Sequence, residues 1–257
     1  MKNMKSVAWM LAMVLMMGCM IFPAGAEGER IPPPEIAGKA GAFGKYTTFG
    51  AYEQDNNLDN GPEPIEWRVL EVKDGRALVV SVYALEYMPY HGAIAEDKSI
   101  TWETWDLRAW LNGEFIATAF TEAERERIPV VTVTADRNPH NPLNAGKDTQ
   151  DQIFLLSLTE VQRYLSSSGA RKCKATDYAI AKVEERLGRE IDIGIGYKPA
   201  DRENCAWWLR TPGEADGSAS SVLPNGSKTW LMAGQTEKYV DYWENAVRPA
   251  MWIDLEP

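Results

Sequence analysis

Strand-like segments at both ends of the chain and helix-like segments between them predict an α+β fold around an antiparallel sheet. Three observations carry this reading: an Asp74-Gly75 turn signal between two apolar runs, Ser/Thr capping boxes in the middle of the chain, and a return to tryptophan-rich strand patterns after Ala206.

The front of the domain reads as an N-terminal β-meander. Tyr46 to Tyr52 is rich in aromatic residues and threonine, Ile65, Trp67 and Val69 alternate with Glu66 and Arg68, and Ala77 to Val82 is apolar or small throughout. Asp74-Gly75 supplies the left-handed backbone that a two-residue hairpin turn needs. Several short helices should follow. Leu107, Trp110 and Leu111 fall at helical spacing behind Thr104 as cap, with Asn112-Gly113 as the expected stop. Thr121-x-x-Glu124 is a capping box whose helix must end by Pro129. Val130 to Val133 and Ile153 to Leu156 read as strands. Ser157-x-x-Glu160 opens a helix with Val161, Tyr164 and Leu165 on one face, and Thr176 caps another that ends near Gly188. Trp207 to Arg210, Ala219 to Leu223 and Val247 to Leu255 are the closing C-terminal strands.

Two segments of different character precede this domain. Lys2 and Lys5 lead into an apolar run from Val7 to Phe22, and Pro23-Ala24-Gly25-Ala26 carries an A-x-A pattern, so residues 1–26 read as a secretory signal peptide cleaved after Ala26. Lipidation at Cys19 is one alternative, although Met16-Met17-Gly18-Cys19 lacks the leucine of a usual lipobox, and an uncleaved anchor is another. Residues 27–42 hold three consecutive prolines and no hydrophobic period, a Pro-rich linker. No second linker divides 43–257, which reads as one globular α+β domain, secreted or at the cell surface, with no membrane span after cleavage. Cleavage removes Lys2 and Lys5 and no acid, leaving 25 basic against 37 acidic residues, a formal charge of −12. Such a surface repels phosphate backbones, which argues against nucleic acid as a partner.

Seven ordered segments then resemble one known family. TFGAYEQDN (48–56), EPIEWRVL (63–70), TWETWDLRAWLNGEF (101–115), DQIFLLSLTEV (151–161), CKATDYA (173–179), CAWWLRTPG (205–213) and VRPAMWIDL (247–255) are together similar to the domain-of-unknown-function family 6273 over about residues 43–257. Trp105, where that pattern has a small or polar residue, and the long charged connection 184–204 are departures. The family implies no activity. The last two of the seven segments are also similar to the ends of C-type-lectin-like domains, a group that includes the formylglycine-generating enzymes. That similarity implies a recognition surface before the final strand, yet this chain opens on a β-meander and lacks the EPN and WND tripeptides by which many lectins hold calcium and sugar.

Chemistry is sparse. Cys173 and Cys205 remain after cleavage, and an even pair in an exported chain points to a disulfide, with two buried thiols as the alternative. His91 and His140 sit in proline-flanked contexts without a G-x-S-x-G elbow, and no zinc spacing links histidine to cysteine, so no catalytic residue, metal or cofactor is expected. The carboxylate pairs Glu103/Asp106, Glu122/Glu124 and Asp148/Asp151 read as helix-start or loop residues. Asp55 to Glu66 approximates a calcium loop, but its glycine, Gly61, stands one position late, so a polar hairpin loop is expected. Trp67, Trp110, Trp207, Trp208 and Trp252 read as core. Between the closing strands, 214–245 is rich in small polar residues, and Trp230, Tyr239, Tyr242 and Trp243 are its candidate ligand-binding patch. The expectation is an exported, non-catalytic binding module for an extracellular glycan or protein. An oxidase-type enzyme related to formylglycine-generating enzymes, with the cysteines as a copper-binding pair, and a purely structural envelope protein are the alternatives.

Overall fold

The computed structural model describes residues 31–38, 44–92, 101–138, 145–191, 203–213, 218–229, 238–239 and 245–256. Strands β1 (Ala37–Gly38), β2 (Lys45–Tyr52), β3 (Glu63–Lys73) and β4 (Arg76–Ser81) form the expected meander. Asp74 (φ 51°) and Gly75 (φ 70°) both take the left-handed conformation that reverses the chain in two residues. After β5 (Glu86–Tyr87) comes a helical section: a 3-10 turn at Trp102–Thr104, α1 (Asp106–Trp110), a wide π turn at Leu111–Phe115, α2 (Ile116–Ala119) and α3 (Glu122–Arg125). Strands β6 (Val131–Val133), β7 (Thr149–Asp151) and β8 (Ile153–Phe154) lead to α4 (Leu158–Tyr164), α5 (Ser168–Arg171) and α6 (Asp177–Leu187). The chain closes with β9 (Trp207–Pro212), β10 (Ser218–Val222), β11 (Lys228–Thr229), β12 (Lys238–Tyr239), β13 (Ala246–Val247) and β14 (Ala250–Asp254).

The fold is α+β. One sheet runs β1-β2-β3-β4-β14-β8, a second runs β11-β10-β9-β13-β5 with β12 also on β10, and β6 pairs with β7. These pairings are antiparallel except β13 with β9. Buried residues from Phe49 to Ile253 make one continuous cluster. Trp67, Trp207 and Trp208 are fully enclosed, and each indole N–H donates to a carbonyl, of Phe49 (2.7 Å), Arg171 (3.0 Å) and Met88 (2.9 Å) respectively. Among the described residues no helix is long and apolar enough to cross a membrane.

Local signals hold where both partners are near in sequence. Thr121 with Glu124 and Ser157 with Glu160 close reciprocal capping boxes, Thr176 accepts from Ala179 N–H, and Gly188 ends α6 with φ 64°. Three expectations need correction. The Thr104 hydroxyl accepts from Thr101 N–H at 3.2 Å and so closes the 3-10 turn, while α1 starts after Trp105 without a side-chain cap. Asn112-Gly113 does not stop the helix: the Asn112 amide donates to Ile153 O (2.8 Å) and accepts from Gln152 and Ile153 N–H (2.9 and 3.1 Å), so its polar groups are used without breaking the turn. The single strand expected over Val247 to Leu255 is divided. Arg248-Pro249 interrupts it, because proline has no N–H to offer a ladder, and the two pieces enter different sheets.

Candidate functional site

The β3–β4 hairpin and the end of β14 enclose an open cleft of about 450 Å³. Strand pairing builds it. Asp254 lies opposite Arg76 and Trp252 opposite Leu78, and the two-residue period puts Trp252 and Asp254 on one face. Arg76 Nε donates to Asp254 Oδ1 at 2.7 Å, and both side chains keep solvent access. Trp252 is half-buried, so part of its indole remains available. Lys73, Asp74 and Glu256 add two acids and a base to the wall, so positive and negative groups nearly balance. The corner is pinned where Leu255 N–H donates to Gly75 O at 2.8 Å. Arg127, buried at 2% exposure, donates to Asp254 O (3.2 Å), Glu256 O (2.9 Å) and Ile31 O (2.6 Å), holding the strand end in place. An aromatic face with paired donors and acceptors suits binding. Among the described residues the lining holds no Ser, Cys or His.

A second cluster lies in the interior. Cys173 follows α5, Cys205 precedes β9, and Cys205 N–H donates to Cys173 O at 2.8 Å while its thiol reaches the same oxygen at 3.3 Å. Both are free, at 3% and 1% exposure. The expected disulfide is therefore not present; the segments are joined by a backbone hydrogen bond, and the Cys173 thiol lies within hydrogen-bond distance of Val82 O (3.5 Å) and Lys174 O (3.4 Å). Burial alone pushes the Cys173 pKa up, but the Cys205 S–H, the Arg248 guanidinium and the Ala84 N–H outweigh it and bring Cys173 down to about 7. Cys205 is pushed up, first by its bond to Cys173 and then by burial. Arg248 Nε donates to Ser81 O at 2.8 Å, and the guanidinium lies 5.0 Å from the Trp207 ring centre. Its Nη1 is buried without a hydrogen-bond partner, as are both polar atoms of the Asn245 amide.

The remaining candidates fare differently. Glu53, Asp55 and Glu63 bring carboxylate oxygens within 4.8 Å of one another at the start of the β2–β3 connection. Their lone pairs serve the loop itself: Glu63 accepts from Gln54 N–H (2.7 Å), Asp55 from Asn57 N–H (2.8 Å) and the Asn60 amide (2.8 Å), and Glu53 from Asn57 N–H (3.0 Å). Glu66, last position of the calcium-like pattern, sits on β3 opposite Thr48 and is not in the group. His91 Nδ1 lies 3.1 Å from Asp106 Oδ2. Of the predicted aromatic patch, Tyr239 falls on β12 opposite Ser218; Trp230, Tyr242 and Trp243, like His140 and Ala26, lie outside the described residues. Sequence reasoning missed the Trp252 cleft. The spacing of Trp252 and Asp254 was visible, but Arg76 meets them only through the pairing of β14 with β4, which no local pattern states.

A family model described as Domain of unknown function (DUF6273) matches residues 74–255. The match takes in five of the seven ordered segments, both cysteines, Arg76, Trp252 and Asp254; TFGAYEQDN and EPIEWRVL lie ahead of it. No curated protein and no solved structure matches the chain. With well over half of its length matched by that model, the chain belongs to the DUF6273 family.

Proposed function

We propose that the protein is an exported, non-catalytic binding module, secreted or held at the cell surface, and that its cleft around Trp252 takes a neutral polyhydroxyl ligand such as an envelope glycan. The half-buried indole beside the Arg76–Asp254 pair is the observation that carries this reading. A sugar ring offers an apolar face for the indole and hydroxyls that both donate and accept, which the near-balanced charges of the wall match better than a strongly ionic ligand. A volume of about 450 Å³ lies within the usual range for small-ligand sites. The signal-like segment 1–26 supports export, and the similarity of the closing segments to C-type-lectin-like domains supports carbohydrate as the ligand class. Export would also place the two cysteines where a disulfide can form.

The test is a glycan and peptidoglycan-fragment array probed with residues 27–257, followed by titration of any hit. Trp252→Ala should weaken binding at least tenfold and Arg76→Ala several-fold, with melting temperatures shown to stay within a few degrees of wild type. An empty array, or a hit indifferent to both substitutions, overturns the reading and returns attention to a structural envelope role or an enzyme. N-terminal sequencing of protein recovered from the medium or envelope should begin at Glu27.

A further inference from the structure

We propose that Cys173 and Cys205 form a peroxide-reactive thiol pair, in which Cys173 is oxidised first and Cys205 resolves it into a disulfide. The inference stands on the interior cluster alone and does not require the cleft to bind a ligand. The Cys205 N–H and the Cys205 thiol both bond Cys173 O, at 2.8 and 3.3 Å, so the backbone holds the two cysteines side by side. They are unequal. Cys173 has the support of Arg248 and Ala84, whereas Cys205 is kept protonated by its bond to Cys173, by burial and by the negative charge on Cys173, against the pull of the same Arg248, so one sulfur is set to attack and the other to carry a proton.

Size chooses the oxidant. At 3% and 1% exposure neither sulfur admits a bulky disulfide, whereas hydrogen peroxide has two heavy atoms. Arg248 supplies what a peroxide needs besides a thiolate: a buried cation acting on both sulfurs, whose Nη1 has no acceptor among the described residues and can donate to an oxygen. Among the described residues no other charged group acts on Cys173.

The chemistry balances in two steps. The Cys173 thiolate attacks one peroxide oxygen; the S–O bond forms, the O–O bond breaks, sulfur is oxidised by two electrons to the sulfenic acid, and the departing hydroxide takes a proton to become water. The Cys205 sulfur then attacks the sulfenic sulfur. The S–S bond forms, the S–O bond breaks, and the hydroxyl leaves with the Cys205 proton as a second water. Two thiols and one peroxide give one disulfide and two waters.

The experiment uses folded, pre-reduced protein comprising residues 27–257, which lacks Cys19, freed of reductant, treated with hydrogen peroxide, quenched in acid, denatured and alkylated before intact mass spectrometry. One equivalent of peroxide should leave wild type about 2 Da lighter with no thiol open to alkylation. Its rate should exceed that of free cysteine at pH 7 roughly tenfold and rise with an ionisation near pH 7. Cys205→Ser should halt at the addition of about one oxygen, and Cys173→Ser should remain unmodified over the same time. Arg248→Gln should move the pH profile upward. The wild-type rate and profile need no variant to fold. Two thiols surviving in wild type, a rate no faster than free cysteine, or equal oxidation of the two serine variants overturns the proposal.

Discussion

Glu160 does two jobs with one carboxylate. It accepts from Ser157 N–H at 2.8 Å, completing the cap of α4, and it neutralises Arg210, whose side chain is 2% exposed and reaches it through Nη1 (2.5 Å) and Nη2 (3.0 Å). Leu155 O takes a further Arg210 bond at 2.8 Å. Removing one partner of such a pair strands the other in the interior, so Glu160→Ala should cost about 3 kcal/mol in urea denaturation, and Glu160→Gln, which keeps the cap acceptor, less. Cys173 gives a pH signature. Its folded pKa of about 7 lies below the unfolded value, so its ionisation contributes stability that is fully present above the unfolded value and is lost as pH falls through 7. Cys205, shifted upward, opposes this only once the unfolded thiol ionises, at about 8.5 and above. In reductant, the urea midpoint of wild type should therefore gain between pH 6.5 and 8 relative to Cys173→Ser.

The π turn between α1 and α2 rests on Asn112, whose side chain joins the helix to β8 through two accepted N–H groups and one donated bond. Asn112→Ala leaves those groups unpaired and should destabilise by about 2 kcal/mol, while Asn112→Asp, which retains the accepting oxygen, should lose less; chemical denaturation of the pair separates the two contributions. The same residue shows what a sequence can and cannot convey. Capping boxes at 121–124 and 157–160 were legible because donor and acceptor lie three residues apart. Asn112-Gly113 was misread because its partners lie 40 and 41 residues away, and only they turn a breaker into a brace. The Arg248-Pro249 division was hidden for a related reason: alternation of apolar residues continues across it while the hydrogen-bonding partners change sheets. The cleft shares that fate, since Trp252 looked like core until β14 was placed beside β4 near the hairpin turn. The disulfide expected of Cys173 and Cys205 was read from their even number alone, and the oxidation state of two thiols is not written in their spacing.

At the scale of the whole molecule, two sheets share one closing segment, and both candidate sites lie along it: Arg248 faces the thiols before the proline, and Trp252 and Asp254 face the cleft after it. The other feature of this scale is Arg127, whose single guanidinium donates to Ile31 O on one side and to Asp254 O and Glu256 O on the other. Points of the chain more than two hundred residues apart are thus held at opposite edges of one planar group. A peptide bridge of a few residues from Glu256 back to Ile31 should close the backbone into a ring without disturbing the fold. The cost of closure falls on the unfolded chain, so the ring should be about 5 kcal/mol more stable than its linear parent, read as a higher melting temperature. Such a ring would have no ends to fray and none for an exopeptidase to grip, and it could be cut open elsewhere to make circular permutants.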